Sequence, residues 1–217
     1  MLGSPIPAKV LSVRILPNAD PLLLQRLSVP PGHRSLGLFT ADCDDVAYAA
    51  LDEATKKALV TVVYARSMYA GAANASTALA GEFIGILSGE NPADIRSGLE
   101  AAVHYVEEEA SFYSANEDDS VVYFAHCISA TGTYLSHEAE VPPGTPMAYL
   151  IAPPLEAMVG LDAALKAADV TLRRFYGPPS ETNFAGGLLS GDQAACQAAC
   201  DAFAETVRAI AARPTDY

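Results

Sequence analysis

Three landmarks recur in the same order in the two halves of this chain, and that recurrence narrows the possible folds more than any single residue does. Val29-Pro30-Pro31-Gly32 returns as Val141-Pro142-Pro143-Gly144, an offset of 141 − 29 = 112. Leu51-Asp52-Glu53-Ala54-Thr55-Lys56 returns as Leu161-Asp162-Ala163-Ala164-Leu165-Lys166, an offset of 161 − 51 = 110. Leu87-Ser88-Gly89 returns as Leu189-Ser190-Gly191, an offset of 189 − 87 = 102. Solenoid repeats run to roughly 20–50 residues, so a period this long means two homologous domains in tandem. A three-fold ring of such chains presents six similar domains.

The 217 residues leave room for two domains, each near the usual single-core size of about 100–150 residues. The boundary is expected at the polar stretch Ser114-Ala115-Asn116-Glu117-Asp118-Asp119-Ser120, giving domains 1–113 and 114–217. A net charge of −13 argues against nucleic acid, because neutralising phosphates needs clustered Lys and Arg. The same charge argues against anionic membrane surfaces, and no apolar run approaches a membrane span. The first seven residues lack a basic region followed by an apolar one, so a cytoplasmic location is expected. Cys43, Cys127, Cys196 and Cys200 form no zinc pattern. Cys196, Cys200, Phe203, Val207 and Ile210 step by four, three, four and three, the buried stripe of a helix.

Hydrophobic periodicity, caps and turn residues then give an order of elements. The first half reads as strand 10–16, a short helix capped by Asp20, the Pro-Pro-Gly turn, strand 35–40, helix 44–59, strand 60–64, strand 81–87 and helix 92–109. The second half repeats it: strand 120–128, a connection, turn 141–144, strand 147–151, helix 155–168, strand 170–175, strand 186–189 and helix 192–212. The fold class is therefore α+β, two domains each with a small antiparallel sheet and helices on one side. Segment 65–80 stands apart, being rich in small residues, uncharged after Arg66 and longer than its counterpart at 177–184. A connection above about 12 residues in a compact domain is usually functional or disordered.

Catalytic chemistry finds no support. The four histidines have no metal spacing, no Gly-x-Ser-x-Gly elbow is present, and Asp192 stands where a phosphate loop needs lysine. Neither an enzyme, a metal site nor a cofactor is expected. Binding is different: Asp42, Asp44 and Asp45 follow the second strand and Glu82 opens a later one. Carboxylates suit an ammonium ligand, and Phe112, Phe184 and Tyr69 offer aromatic faces. Spacing alone favours reading these aspartates as solvated helix caps over a ligand site.

Six segments carry a family resemblance. They are Arg34 to Leu38 with Ala41-Asp-Cys-Asp-Asp-Val46, Asp52-Glu-Ala-Thr-Lys56, Val63-Tyr-Ala-Arg-Ser-Met-Tyr-Ala-Gly-Ala72, Ala148-Tyr-Leu-Ile-Ala-Pro-Pro-Leu-Glu156 and Pro178-Pro-Ser-Glu-Thr-Asn-Phe184. From about residue 8 onward the chain resembles the EutL family, shell proteins of the ethanolamine-utilization bacterial microcompartment. The resemblance implies two circularly permuted microcompartment (BMC) domains and a homotrimeric, pseudohexameric tile. Such tiles pack edge to edge, with other shell proteins, into a microcompartment shell. It also implies a gated central pore for metabolite transport, the gating loop including Arg66, Ser67, Met68, Tyr69, Ala70 and Gly71. An ethanolamine pocket in each subunit would comprise Asp44, Asp45, Glu82, Phe112, Thr182, Asn183 and Phe184. Cys43, inside the Asp-x-Asp-Asp run, departs from the family pattern, and residues 1–7 show no match. A soluble two-domain sensor of a small amine is the alternative reading.

Overall fold

A computed structural model describes residues 3–68, 79–180 and 182–216. The described chain divides into two compact units, and they are interleaved in sequence. The first comprises Pro7–Ala110 together with Gly132–Leu135; the second takes the residues up to Ile6, Ser111–Thr131 and those from Ser136 onward. Where the sequence reading drew one boundary at 113/114, the chain crosses after Ala110, and residues before Ile6 join the second unit through Gly3 N–H to Ser114 O (2.9 Å) and Ser114 N–H to Ser4 O (3.0 Å).

In the first unit, β2 (Val10–Leu16), β3 (Ser35–Ala41), β4 (Thr61–Ser67) and β5 (Phe83–Gly89) form an antiparallel sheet in the order β2-β3-β5-β4. Helices α2 (Asp44–Lys57) and α3 (Pro92–His104) cover one face, with Ile95, Leu99, Ala102 and Leu51 buried between. The Asn91 side chain caps α3, accepting from Ala93 N–H (3.0 Å) and Asp94 N–H (2.9 Å), and Pro92 needs no partner at the first position. After His104 the helix widens into a π turn, Tyr105–Glu109, closed by Ala110 N–H to Tyr105 O (3.2 Å). The short helix α1 (Pro21–Arg26) lies on the other face, where Leu24 and Leu27 pack against Leu36 and Ile86. Helices on one side only is thus corrected: the loop between two paired strands is long enough to fold back over the far face.

The second unit holds β1 (Pro5–Pro7), β6 (Ser111–Ser114), β7 (Val122–Ile128), β8 (Met147–Ala152), β9 (Thr171–Tyr176) and β10 (Ala185–Ser190), ordered β1-β6-β7-β8-β10-β9. Helices α5 (Pro154–Ala167) and α6 (Gln193–Ala212) cover a core of Leu150, Leu161, Cys196, Cys200, Phe203 and Val207. Burial in that core pushes the Cys200 thiol far up and the Cys196 thiol to about 11, which keeps both inert. Helix α4 (Thr133–Glu138) follows β7, and its first turn belongs to the first unit. There the Asp52 carboxylate, 1% exposed, accepts from Gly132 N–H (2.6 Å) and Leu135 N–H (2.9 Å), while Thr55 Oγ1 accepts from Thr133 N–H (2.9 Å).

The duplication is visible in the topology. Strand, short helix, strand, helix, two strands and a helix recur, and β2-β3-β5-β4 is matched by β7-β8-β10-β9. Even an irregularity repeats: Val63 bulges between Val62 and Tyr64 opposite Ile86 and Leu87, and Arg173 bulges between Leu172 and Arg174 opposite Leu188 and Leu189. The offsets are 173 − 63 = 110 and 188 − 86 = 102, those of the sequence landmarks.

Candidate functional site

The residues expected to bind a small amine fall into two sets, one in each unit. Carboxylates make the first set. Strand β3 ends at Ala41, and Asp42 is fixed by reciprocal bonds with Lys9: its carboxylate accepts from Lys9 N–H (2.7 Å) and its N–H donates to Lys9 O (3.1 Å). Cys43 is extended and precedes α2 without capping it through its side chain. Asp44 and Asp45 therefore occupy the first turn, each 7% exposed, with Asp44 Oδ1 accepting from Asp45 N–H (2.9 Å). The positive end of the helix favours carboxylates here by about 0.3–1 kcal/mol each.

Glu82 comes to the same place through the sheet. Ala41 pairs with Phe83, Glu82 N–H donates to Ala41 O (2.9 Å), and Glu82 O accepts from Met68 N–H (2.7 Å). Gly81 makes this approach possible: its φ is +62°, and a Cβ there would run into the Ala41 carbonyl. Burial, then the charges of Asp44 and Asp42, push the Glu82 carboxyl above the ordinary glutamate value. Burial and the charge of Asp45 likewise push the Cys43 thiol well up. These carboxylates make the local potential at the start of α2 negative.

Tyr48 adds an aromatic wall that the sequence reading missed. It lies one turn beyond Asp44, bonds Ser67 Oγ through its hydroxyl (2.9 Å), meets Phe83 edge-on (4.9 Å, 81°) and stacks near Tyr134 (6.3 Å, 14°). The i, i+4 spacing from Asp44 was the available signal. Of the expected gating residues, Arg66 and Ser67 end β4 and Met68 follows; Tyr69, Ala70 and Gly71 lie outside the described residues. The Arg66 guanidinium sits 5.8 Å from the centre of the Tyr64 ring.

The second set is aromatic and polar. Phe112 of β6 stacks on Phe124 (5.3 Å, 22°) and meets Phe184 edge-on (6.0 Å, 76°). The approach to β10 is a closed turn in which Ser180 N–H donates to Phe184 O (2.9 Å) and Asn183 N–H to Ser180 O (3.1 Å). Asn183 takes φ = +65°, a conformation asparagine tolerates better than most residues. Thr182 Oγ1 lies 3.5 Å from Ser180 Oγ.

Neither set is built for bond-making. A histidine–serine contact, His33 Nδ1 to Ser88 Oγ at 2.9 Å, involves a serine with no exposed surface. Among the described residues no group of His, Cys, Asp and Glu is arranged to hold a metal ion, and no helix is long and apolar enough to cross a membrane.

Comparison with known proteins gives a consistent set of relatives. The BMC domain family matches residues 35–117. The microcompartment shell protein EutL of Clostridium perfringens is 61% identical over 208 residues, covering 96% of both chains. EutL of Escherichia coli is 50% identical over 205 residues, 94% of each. Among solved structures, the ethanolamine utilization protein EutL from Leptotrichia buccalis superposes with a TM-score of 0.98 at 64% identity, over the full length of both chains.

Proposed function

Because this chain belongs to the EutL family of bacterial microcompartment shell proteins, a structural and not an enzymatic family, we propose the particular form its shell role takes. Three copies close into a trimeric tile of six similar domains, tiles pack edge to edge with other shell proteins, and a central pore passes metabolites. Ethanolamine is the ligand, its ammonium held by Asp44, Asp45 and Glu82. The reading of a free-standing amine sensor gives way to the shell role.

The observation that carries the ligand assignment is the acidic cluster itself. Two carboxylates of the first turn of α2 and the Glu82 carboxylate ahead of β5 lie about a helix N-terminus with Tyr48 and Phe83, and Glu82 is raised first by burial and then by Asp44 and Asp42. An ammonium there relieves repulsion and gains charge-assisted hydrogen bonds. Phe112, Thr182, Asn183 and Phe184 come in by resemblance, as walls and hydrogen-bonding groups for the alcohol end. The pore reading rests on Arg66 to Gly71, and Met68 is bonded to Glu82. A ligand at Glu82 therefore biases that loop, provided it binds the two gate states unequally.

Isothermal titration with ethanolamine tests the site. Saturable binding by the wild-type chain, weakened at least about tenfold in Glu82→Gln and in Asp44→Asn, supports it, a loss of about 1.4 kcal/mol or more. Unchanged affinity in both variants overturns the carboxylate assignment. Retained affinity in Phe112→Ala and Asn183→Ala removes the second set from the site without touching the first.

A further inference from the structure

The two sheets end differently at corresponding strands. Strand β2 begins at 10 and β7 at 122, an offset of 122 − 10 = 112. On its outer side β7 carries β6 in antiparallel register, Tyr113 opposite Tyr123 and Ser114 opposite Val122. Among the described residues β2 carries no strand there and is the edge of its sheet. Such an edge offers main-chain N–H and C=O groups to an added strand.

The helices beside these strands differ too. Helix α6 closes over β7: Tyr123 Oη accepts from Arg208 Nη1 (3.1 Å), and Cys127 Sγ lies 3.9 Å from Gln193 O. Counting from the first residue of each helix, Arg208 corresponds to Glu107 (208 − 193 = 107 − 92 = 15), and Tyr123 corresponds to Leu11 (123 − 112 = 11). A carboxylate and a leucine make no such bridge. A groove of about 400 Å³ stays open between β2 and α3.

Val13 and Ile15 share one face of β2 and floor this groove with Leu99 and Val103, one turn apart on α3. Its two ends carry opposite charge. A Cβ at Gly37 or Gly89 would run into Ile95, and Gly37 pairs with Ile15, so the Ile15 end of β2 lies by the exposed Arg96. At the other end stand the exposed Glu107 and Glu108, while His104 faces Glu109 (Nε2 to Oε1, 3.3 Å). Arg96 and Glu107 are 107 − 96 = 11 positions apart, about 16 Å along a helix. Five steps of an extended chain, at about 3.3 Å each, cover the same length.

We propose that this groove takes an extended peptide of another protein, added to β2 as β6 is added to β7. The antiparallel sense of β6 sets its polarity: an acidic residue first, at Arg96, and a basic residue last, at Glu107 and Glu108. Alternate apolar side chains between them lie on Val13, Ile15, Leu99 and Val103. The C-terminal segment of this chain, which follows α6 as β6 follows α3, is a poor occupant. Pro214 lacks a ladder donor, and Arg213 folds back on Asp216 (3.3 Å). The groove is distinct from the acidic cluster at α2, so this inference stands apart from the ethanolamine reading.

Fluorescence anisotropy on the full chain tests it. The probe is a labelled hexapeptide with glutamate first, valine second and fourth, threonine third and fifth, and lysine last. Saturable binding is expected, weakened about threefold or more in Arg96→Glu and in Glu107→Lys with Glu108→Lys. The triple variant should prefer the probe with glutamate and lysine exchanged. Of two probes N-methylated at alternate peptide nitrogens, one should bind and the other should not. No saturable binding, or equal affinity in all the charge variants, overturns the site. Like behaviour of the two methylated probes overturns strand addition. Sedimentation showing that the probe splits assemblies of this chain gives the groove to a second copy and overturns the partner assignment.

Discussion

Asp52 accepts two backbone N–H groups from a segment 80 residues further along the chain, and it does so with 1% of its surface exposed. Replacing it by alanine orphans two buried donors, so Asp52→Ala should lower unfolding stability by about 2–4 kcal/mol in urea titration. Burial raises the Asp52 carboxyl, as burial and acidic neighbours raise Glu82. A raised carboxyl means the folded state holds its proton more tightly than the unfolded state. These groups therefore favour folding most below the ordinary carboxylate range, and that contribution is lost as pH climbs through their raised values. Glu82→Gln should gain stability relative to wild type as pH rises across that window, which chemical unfolding at a series of pH values will read. Ethanolamine stays cationic there, so its affinity for the wild type should fall as pH drops and Glu82 takes up its proton. Asp42, Asp44 and Asp45 were legible because they are nearly consecutive after a strand. Glu82 joins them only through the pairing of β3 with β5, which no local pattern announces.

Long helices and buried strands were readable because their periodicity runs over several turns or residues. Helix α3 opens at Pro92 as its Asn-Pro signal says, and the stripe of Cys196, Cys200, Phe203 and Val207 is buried. Among short elements, α1 was readable from its Asp20 cap, whereas β6 and α4 were not. Strand β6 has four residues and follows the π turn without a glycine or proline to separate them, and α4 is held by Asp52, a long-range partner. Close packing of α5 against α6 depends on Gly160 of α5. A Cβ there would stand 2.7 Å from the Phe203 ring of α6. Gly160→Ala should cost about 1–3 kcal/mol by overpacking, visible as a lower thermal midpoint, and Phe203→Leu in the same chain should recover part of the loss.

For the molecule as a whole, the duplication could be read from three offsets, and the matching sheet orders carry the same repeat. The interleaving of the two units could not, because it depends on which half a four-residue segment packs with. That segment has a further consequence. The contact at Asp52 lies inside a single chain, so no dilution weakens it. Urea titrations of wild type and Asp52→Ala at a series of chain concentrations should therefore return the same difference in stability throughout.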